Sequence, residues 1–392
     1  MPLGIEFSHR TDWELQENRL TQLHHDLLEK KEEVFDLTIS NPTLCQFDYS
    51  PKKILEGFQS SKNLVYEPSS CGNVSAREEV VRFYKKRGVC LSCDQIVLVS
   101  STSEAYGFLF RLLTNPGDKV LFPRPSYPLF QFLSDLNDVS LEAYSLQYNQ
   151  CWSVDVDNLR QTIDAKAKAV VCVNPNNPTG SFIKKQELQI FNELCVEHNC
   201  ALISDEVFAD FGFEEDTDRI SLTGNKDVLT FILGGLSKTL GLPQMKLSWI
   251  VVSGPTDDVS RSLERLEIIA DTYLSVNTPA QNALGQWLQL TGFVQNQIRN
   301  RIERNYQFLK EQMELVQRCS LFFAEGGWYA VLSVDTELSE EGFVIDLLKE
   351  KHVLVHPGYF FDFDQESVIV VSLLLKNKDF IEGINRIVTY LS

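Results

Sequence analysis

Between about residues 94 and 254 the chain repeats one rhythm. Short β-rich runs (DQIVLVS, DKVLFP, VSLEAYSL, AKAVVCVN, CALISDEVF, VLTFILG, KLSWIVVSG) are separated by helical or turn stretches. Strands that alternate with helices build a largely parallel sheet with helices on both faces. Residues 184–199, KKQELQIFNELCVEHN, read as one crossover helix, with Leu188, Phe191, Leu194 and Cys195 on one face. Ahead of this core, residues 11–33 carry apolar positions at helical spacing from Leu15 to Leu28, with Thr11 as the candidate cap. Behind it, a long helical region is expected from Pro279 to about Val316, followed by a shorter alternation of strand and helix. A break near residue 285 marks a second, smaller domain. No repeat or low-complexity tract interrupts the pattern.

Composition narrows the functions open to such a fold. The 392 residues are 43% hydrophobic and 23% charged, which suits a chain that folds throughout. The net charge of −18 opposes nucleic acid phosphates and anionic membrane surfaces, so neither is expected as a partner. The longest apolar runs, Val368 to Val371 and Leu373 to Leu375, fall far short of the roughly 18–20 residues that span a bilayer. The N-terminus is polar and acidic, unlike a signal peptide, and the nine cysteines are odd in number and scattered; both point to the cytoplasm. Cys90 and Cys93 form the one close pair, without the second matched pair of a zinc site, and the six histidines make no ligand pattern, so no metal is expected.

In parallel sheets ligands bind on the loops that follow the strands, and four such loops are rich in chemistry. Gly234-Gly235-Leu236-Ser237-Lys238 follows the strand Val228 to Leu233, and Lys246 stands eight residues further on. A lysine there is by itself more often a solvated charge. Next to a second cation and a hydroxyl, however, it suits an imine with a phosphate-bearing aldehyde. Asn174 to Gly180 close another strand in a turn that continues neither sheet nor helix. The run ALISDEVF ends in carboxylates, of which Asp205 is either a cap or surface charge or the partner of a protonated pyridine nitrogen. Ser100 to Ala105 join a strand to a helix, and such a start offers hydroxyls and backbone donors to a phosphate, although a plain serine cap reads the same way.

Taken in order, these motifs resemble the fold type I aminotransferases of class I/II over nearly the whole chain. The matching pieces are Tyr66 ahead of Gly72 and Arg77, Ser101-Thr102-Ser103, Pro125-Ser126-Tyr127, Asn177-Pro178-Thr179-Gly180, Asp205-Glu206-Val207-Phe208, Ser237-Lys238 and Glu325-Gly326-Gly327-Trp328. The resemblance implies a three-layer α/β sandwich with a mostly parallel seven-stranded sheet and a smaller α/β domain. Residues 1–45 would join the small domain, 46–285 form the large cofactor-binding domain and 286–392 the small C-terminal one. It also implies pyridoxal 5'-phosphate, carried as an imine on Lys238, and a homodimer in a biosynthetic role. An amino donor and a 2-oxo acid would be the substrates. Lys238 would be catalytic, Asp205 would pair with the pyridinium nitrogen, Tyr127 would stack on the ring and Asn177 would hold the ring oxygen. Ser101, Thr102, Ser103, Ser237 and Lys246 would bind phosphate, joined by Tyr66 from a second subunit. Substrate would lie at Ser40, Trp328 and Val370.

Three positions depart from the family pattern. Phe208 stands where a tyrosine hydroxyl usually meets the ring oxygen, and Lys246 replaces an arginine fork with a point charge. Val370 aligns with the arginine that grips the substrate carboxylate. A carboxylate there needs another cation, for which Arg10, Arg19 and Lys376 are the candidates by segment, or the substrate lacks one at that point. A decarboxylase or lyase on the same cofactor, and a non-catalytic binding protein on the same scaffold, are the competing readings; retention of Lys238, Asp205 and Asn177 together counts against the second.

Overall fold

A computed structural model of the chain describes residues 4–213, 218–364 and 367–392. Its centre is a sheet of eight strands: β1 (Ile96–Val99), β2 (Lys119–Arg124), β3 (Ser140–Asn149), β4 (Cys151–Val154), β5 (Ala167–Val173), β6 (Ala201–Asp205), β7 (Thr230–Gly235) and β8 (Ser248–Ser253). They lie side by side as β1-β8-β7-β6-β5-β2-β3-β4. Five neighbours, β7, β6, β5, β2 and β3, run parallel, while β8 is antiparallel to both β7 and β1. Strands buried on both faces need unbroken apolar runs, and β1, β7 and β8 are buried at every position. The crossover helix Lys185–His198 buries Phe191, Leu194 and Cys195 and stops at Asn199, whose left-handed φ of 54° closes its last turn. Each large apolar side chain so buried contributes about 1.5–3 kcal/mol.

The sheet has one strand more than the seven expected. Gln150, at φ 62°, turns β3 back on itself, and the short run Cys151–Val154 pairs antiparallel along the outer edge. The N-terminal helix is also shorter than its apolar spacing suggests. It spans Arg19–Glu29 and starts where the Asn18 side chain accepts the Thr21 amide at 2.8 Å, not at Thr11. Upstream, Trp13 donates from Nε1 to Asp135 at 2.8 Å, a tertiary contact that holds this stretch outside the helix. The long helical region is two helices, Thr278–Leu288 and Thr291–Met313. The first is pinned to residues 51–59 by the buried Trp287, whose Nε1 donates to the Ile54 carbonyl at 3.0 Å.

A second sheet follows, made of β9 (Cys319–Leu321), β10 (Tyr329–Val334), β11 (His356–Pro357) and β12 (Val368–Ser372), in the order β9-β10-β12-β11 and antiparallel throughout. The N-terminal segment joins this part of the molecule. Phe35 and Asp36 pair in parallel with Val353 and Leu354, and the Ser372 amide donates to the Leu37 carbonyl at 2.7 Å. Among the described residues no helix is long and apolar enough to cross a membrane.

Candidate active site

Register in the large sheet decides which loops meet. Val173 lies beside Asp205, Asp205 beside Leu233, Gly235 beside Ser248 and Ser248 beside Val99. The turn at 174–180, the Asp205 end, the Ser237-Lys238 segment and the loop at 100–103 therefore open on one edge of the sheet. Glycine makes the closest of these approaches possible. A Cβ on Gly235 would stand 2.2 Å from Ser248 Oγ, and one on Gly180, at φ +74°, would stand 2.3 Å from the Gly326 carbonyl oxygen. Contact with Gly326 carries the turn at 174–180 onto the segment 325–328. There Glu325 accepts the Phe182 amide at 3.0 Å and is ion-paired with Lys184.

Lys238 sits where these parts meet. Its Nζ lies 4.7 Å from the Trp328 ring centroid and 5.0 Å from that of Phe208, and the two rings pack edge to face at 5.2 Å. The side chain keeps part of its surface open, yet burial of the amine draws its pKa down to about 8, against a weaker opposing pull from Asp205. Burial likewise raises Asp205 to about 6. Its oxygens accept from the Val207 amide at 3.2 Å and the Tyr106 hydroxyl at 3.1 Å, which favour the ionised form less than burial disfavours it. An amine and a carboxylate whose pKa values are pushed toward each other in an aromatic cleft suit proton transfer near neutral pH. Three buried polar atoms of the same region lack a hydrogen-bond partner: Asn177 Oδ1, Asn176 Nδ2 and Trp328 Nε1.

The model of the aminotransferase class I and II family matches residues 32–387. This chain belongs to that family. Among curated relatives, it is 25% identical over 382 residues to the glutamate-pyruvate aminotransferase AlaA of Haemophilus influenzae, covering 94% of each chain. It is 27% identical over 369 residues to the alanine aminotransferase of Mycobacterium bovis, covering 91% of this chain and 85% of that one. The fold matches the alanine aminotransferase from Pyrococcus furiosus with a TM-score of 0.90, 24% identity and coverage of 98% and 99%. The protein is an aminotransferase that works with pyridoxal 5'-phosphate.

The other positions singled out in this aminotransferase's sequence range from buried to exposed. Ser101 caps the helix Thr102–Leu113, its Oγ accepting the Glu104 amide at 3.1 Å, with Thr102 and Ser103 in the first turn and Ser237 half-buried beside Lys238. Tyr127 is 46% exposed. Lys246, in a left-handed conformation, is exposed and makes no ion pair among the described residues. Tyr66 is 68% exposed, on a segment whose neighbour Val65 lines a 470 Å³ groove with Lys62, Val74 and Thr278. Ser40 is hydrogen-bonded to Tyr329, while Trp328 and Val370 are fully buried. Of the substitute cations, Arg10 pairs with Asp138 and Arg19 with Glu341 at 3.6 Å, both at the surface, and Lys376 directly precedes the helix Asn377–Leu391.

Tyr106 escaped sequence reading because it looks like one more apolar contact of its helix. Its spacing, one turn past the Ser101 cap, is the signal that aims it at Asp205.

The depressed Lys238 pKa has a consequence for the apoprotein. The folded value of about 8 lies below the ordinary 10.5, so the unfolded chain holds the extra proton between the two. The cost of burying the ammonium is therefore full below pH 8 and fades as pH rises to 10.5. Lys238→Met removes it, and apoprotein carrying that change is expected to exceed wild type in stability at pH 7 by up to about 3 kcal/mol. Urea titrations across pH 7–10.5 test this; a variant no more stable at pH 7, or an advantage that persists at pH 10.5, contradicts a buried amine.

Proposed function

We propose that this aminotransferase moves an amino group between an amino acid or amine and a 2-oxo acid, with Lys238 as the group that both anchors the cofactor and handles the proton. The observation that carries this reading is the Lys238 amine, held against Trp328 and Phe208 with its pKa lowered to about 8. At pH 7 such an amine is unprotonated roughly 300-fold more often than one with an ordinary value. The cleft suits the cofactor: a buried carboxylate at Asp205, partnerless polar atoms at Asn176, Asn177 and Trp328, and hydroxyls at a helix start at 101–103. Pyridoxal phosphate supplies, when bound, an electron sink for the bonds at the donor's α-carbon.

The remaining work falls to side chains. Asp205, fixed by Tyr106 and the Val207 amide, holds the proton on the ring nitrogen. Asn177 would donate from its side-chain NH2 to the ring oxygen, unaided there because Phe208 has no hydroxyl. Tyr127 would cover one ring face, and Ser101 to Ser103, Ser237 and Lys246 would hold the phosphate. Lys238 Nζ would accept the proton from the donor's α-carbon and later give it back, while Trp328 and Phe208 exclude water around it. Mixing the holoenzyme with a panel of amino acids and amines tests the reaction. Conversion to the pyridoxamine form without loss of carbon dioxide is the expected result, and carbon dioxide release would favour the decarboxylase reading.

The active species in this reading is a cytoplasmic homodimer. Tyr66, Leu64 and Leu274 are exposed at 68%, 90% and 69%, apolar surface that a second copy would cover and that would bring Tyr66 to the partner's phosphate. All nine cysteines are free thiols, in keeping with a reducing compartment. Residues 1–45 and 286–392 are taken as the small domain and 46–285 as the large one, supported by the pairing of Phe35 and Asp36 with Val353 and Leu354. Sedimentation at assay concentration is expected to show a dimer, with Tyr66→Phe weakening cofactor affinity on the order of tenfold through one lost hydrogen bond to a charged group. A fully active monomer contradicts the shared site.

A further inference from the structure

Register in the small sheet sets His356 directly across from Val370, and Val331 faces Val370 from the other side. Tyr329 lies opposite Ser372, two residues further along the same strand. Opposed residues of an antiparallel pair project to one face, so Tyr329, Val331, His356 and Val370 share it. Tyr329 links that face to Ser40 and Tyr127, both near enough to act on its hydroxyl. Val370 is fully buried, so no open socket remains where an arginine would reach out.

Directly across from Val370 stands the His356 imidazole. It packs against Phe361 at 5.6 Å, with the Thr38 backbone beside it favouring the protonated ring. A neutral imidazole keeps one ring nitrogen as an acceptor. Burial favours the neutral ring against the pull of the nearby Asp36 carboxylate, itself engaged by the Thr38 amide at 2.8 Å and the Thr38 hydroxyl at 2.5 Å. A carboxylate arriving here offers acceptors to an acceptor and meets Asp36 as a like charge. An amide or a hydroxyl offers the missing donor.

We infer that His356 takes the place of the arginine in substrate recognition, as a neutral hydrogen-bond acceptor, and that the amino donor carries there an uncharged donor group such as a carboxamide or hydroxymethyl in place of a carboxylate. This rests on the reading of the Lys238 cleft as the cofactor site.

The test uses holoenzyme and two probes without an α-hydrogen, which bind without transamination: 2-aminoisobutyrate and 2-aminoisobutyramide. Calorimetric Kd values are expected to favour the amide on the order of tenfold in wild type. His356→Ala should abolish that preference, and His356→Gln should keep part of it because the side-chain amide retains an acceptor. A wild type that prefers the carboxylate, or does not bind the amide at millimolar concentration, overturns the inference; so does an unchanged preference in His356→Ala. Should His356→Ala fail to fold, the wild-type preference and the glutamine variant decide. A wild-type protein that takes up no cofactor fails at the earlier step, before either probe is added.

Discussion

Replacing Lys238 with alanine is expected to lower transamination by about four orders of magnitude, the upper range for loss of a positioned acid–base group. Covalent cofactor attachment should disappear with it. Among the described residues, no other lysine amine stands against both Phe208 and Trp328, so no second group is placed for either task. The change removes an amine whose burial is itself unfavourable at neutral pH, and the variant should therefore fold at least as well as wild type. Loss of activity with a retained melting temperature is the expected pattern. Near-normal turnover in Lys238→Ala would place the chemistry elsewhere.

The second large effect is expected at Asp205. Asparagine has nearly the same shape and can keep contact with the Tyr106 hydroxyl, but it carries no charge to hold a ring-nitrogen proton. Breaking a buried charge pair by removing one partner typically costs about 3–5 kcal/mol, which converts to a loss on the order of a hundred- to a few-thousandfold in rate. Because Asp205 lies within electrostatic reach of Lys238, the same substitution removes the one influence that raises the amine's pKa. The amine should titrate lower in Asp205→Asn apoprotein than in wild type. Single-turnover rates measure the first effect and the pH dependence of amine labelling the second; unchanged values in both would separate Asp205 from the cofactor.

These expectations rest on residues that the sequence exposes unevenly. Lys238, Asp205 and Asn177 were legible because each follows an apolar β run, and in a parallel sheet such runs end on one edge whatever the details of packing. The crossover helix was legible for the same reason of periodicity. Thr11 misled because a cap can be read from residue type, whereas the Trp13 contact with Asp135 that keeps this stretch out of the helix spans the chain. Cys151–Val154 is four residues long and polar at every other position, too little pattern to announce an edge strand before Gln150 turns the chain back. His356 stayed hidden because its relation to Val370 is one of cross-strand register, set by how β11 and β12 align. Tyr66 and Lys246 show the limit from the other side: their motifs were plain, but in one chain both are exposed.

The most direct measurement is chemical trapping of the resting holoenzyme. Borohydride should erase the visible absorbance and fix the cofactor to the chain, and proteolysis with mass spectrometry should then find a single pyridoxyl group on the peptide that contains Ser237 and Lys238. A label on Lys246 or any other lysine, or a cofactor that washes away after reduction, would contradict the assignment of Lys238 as the anchoring and proton-handling group.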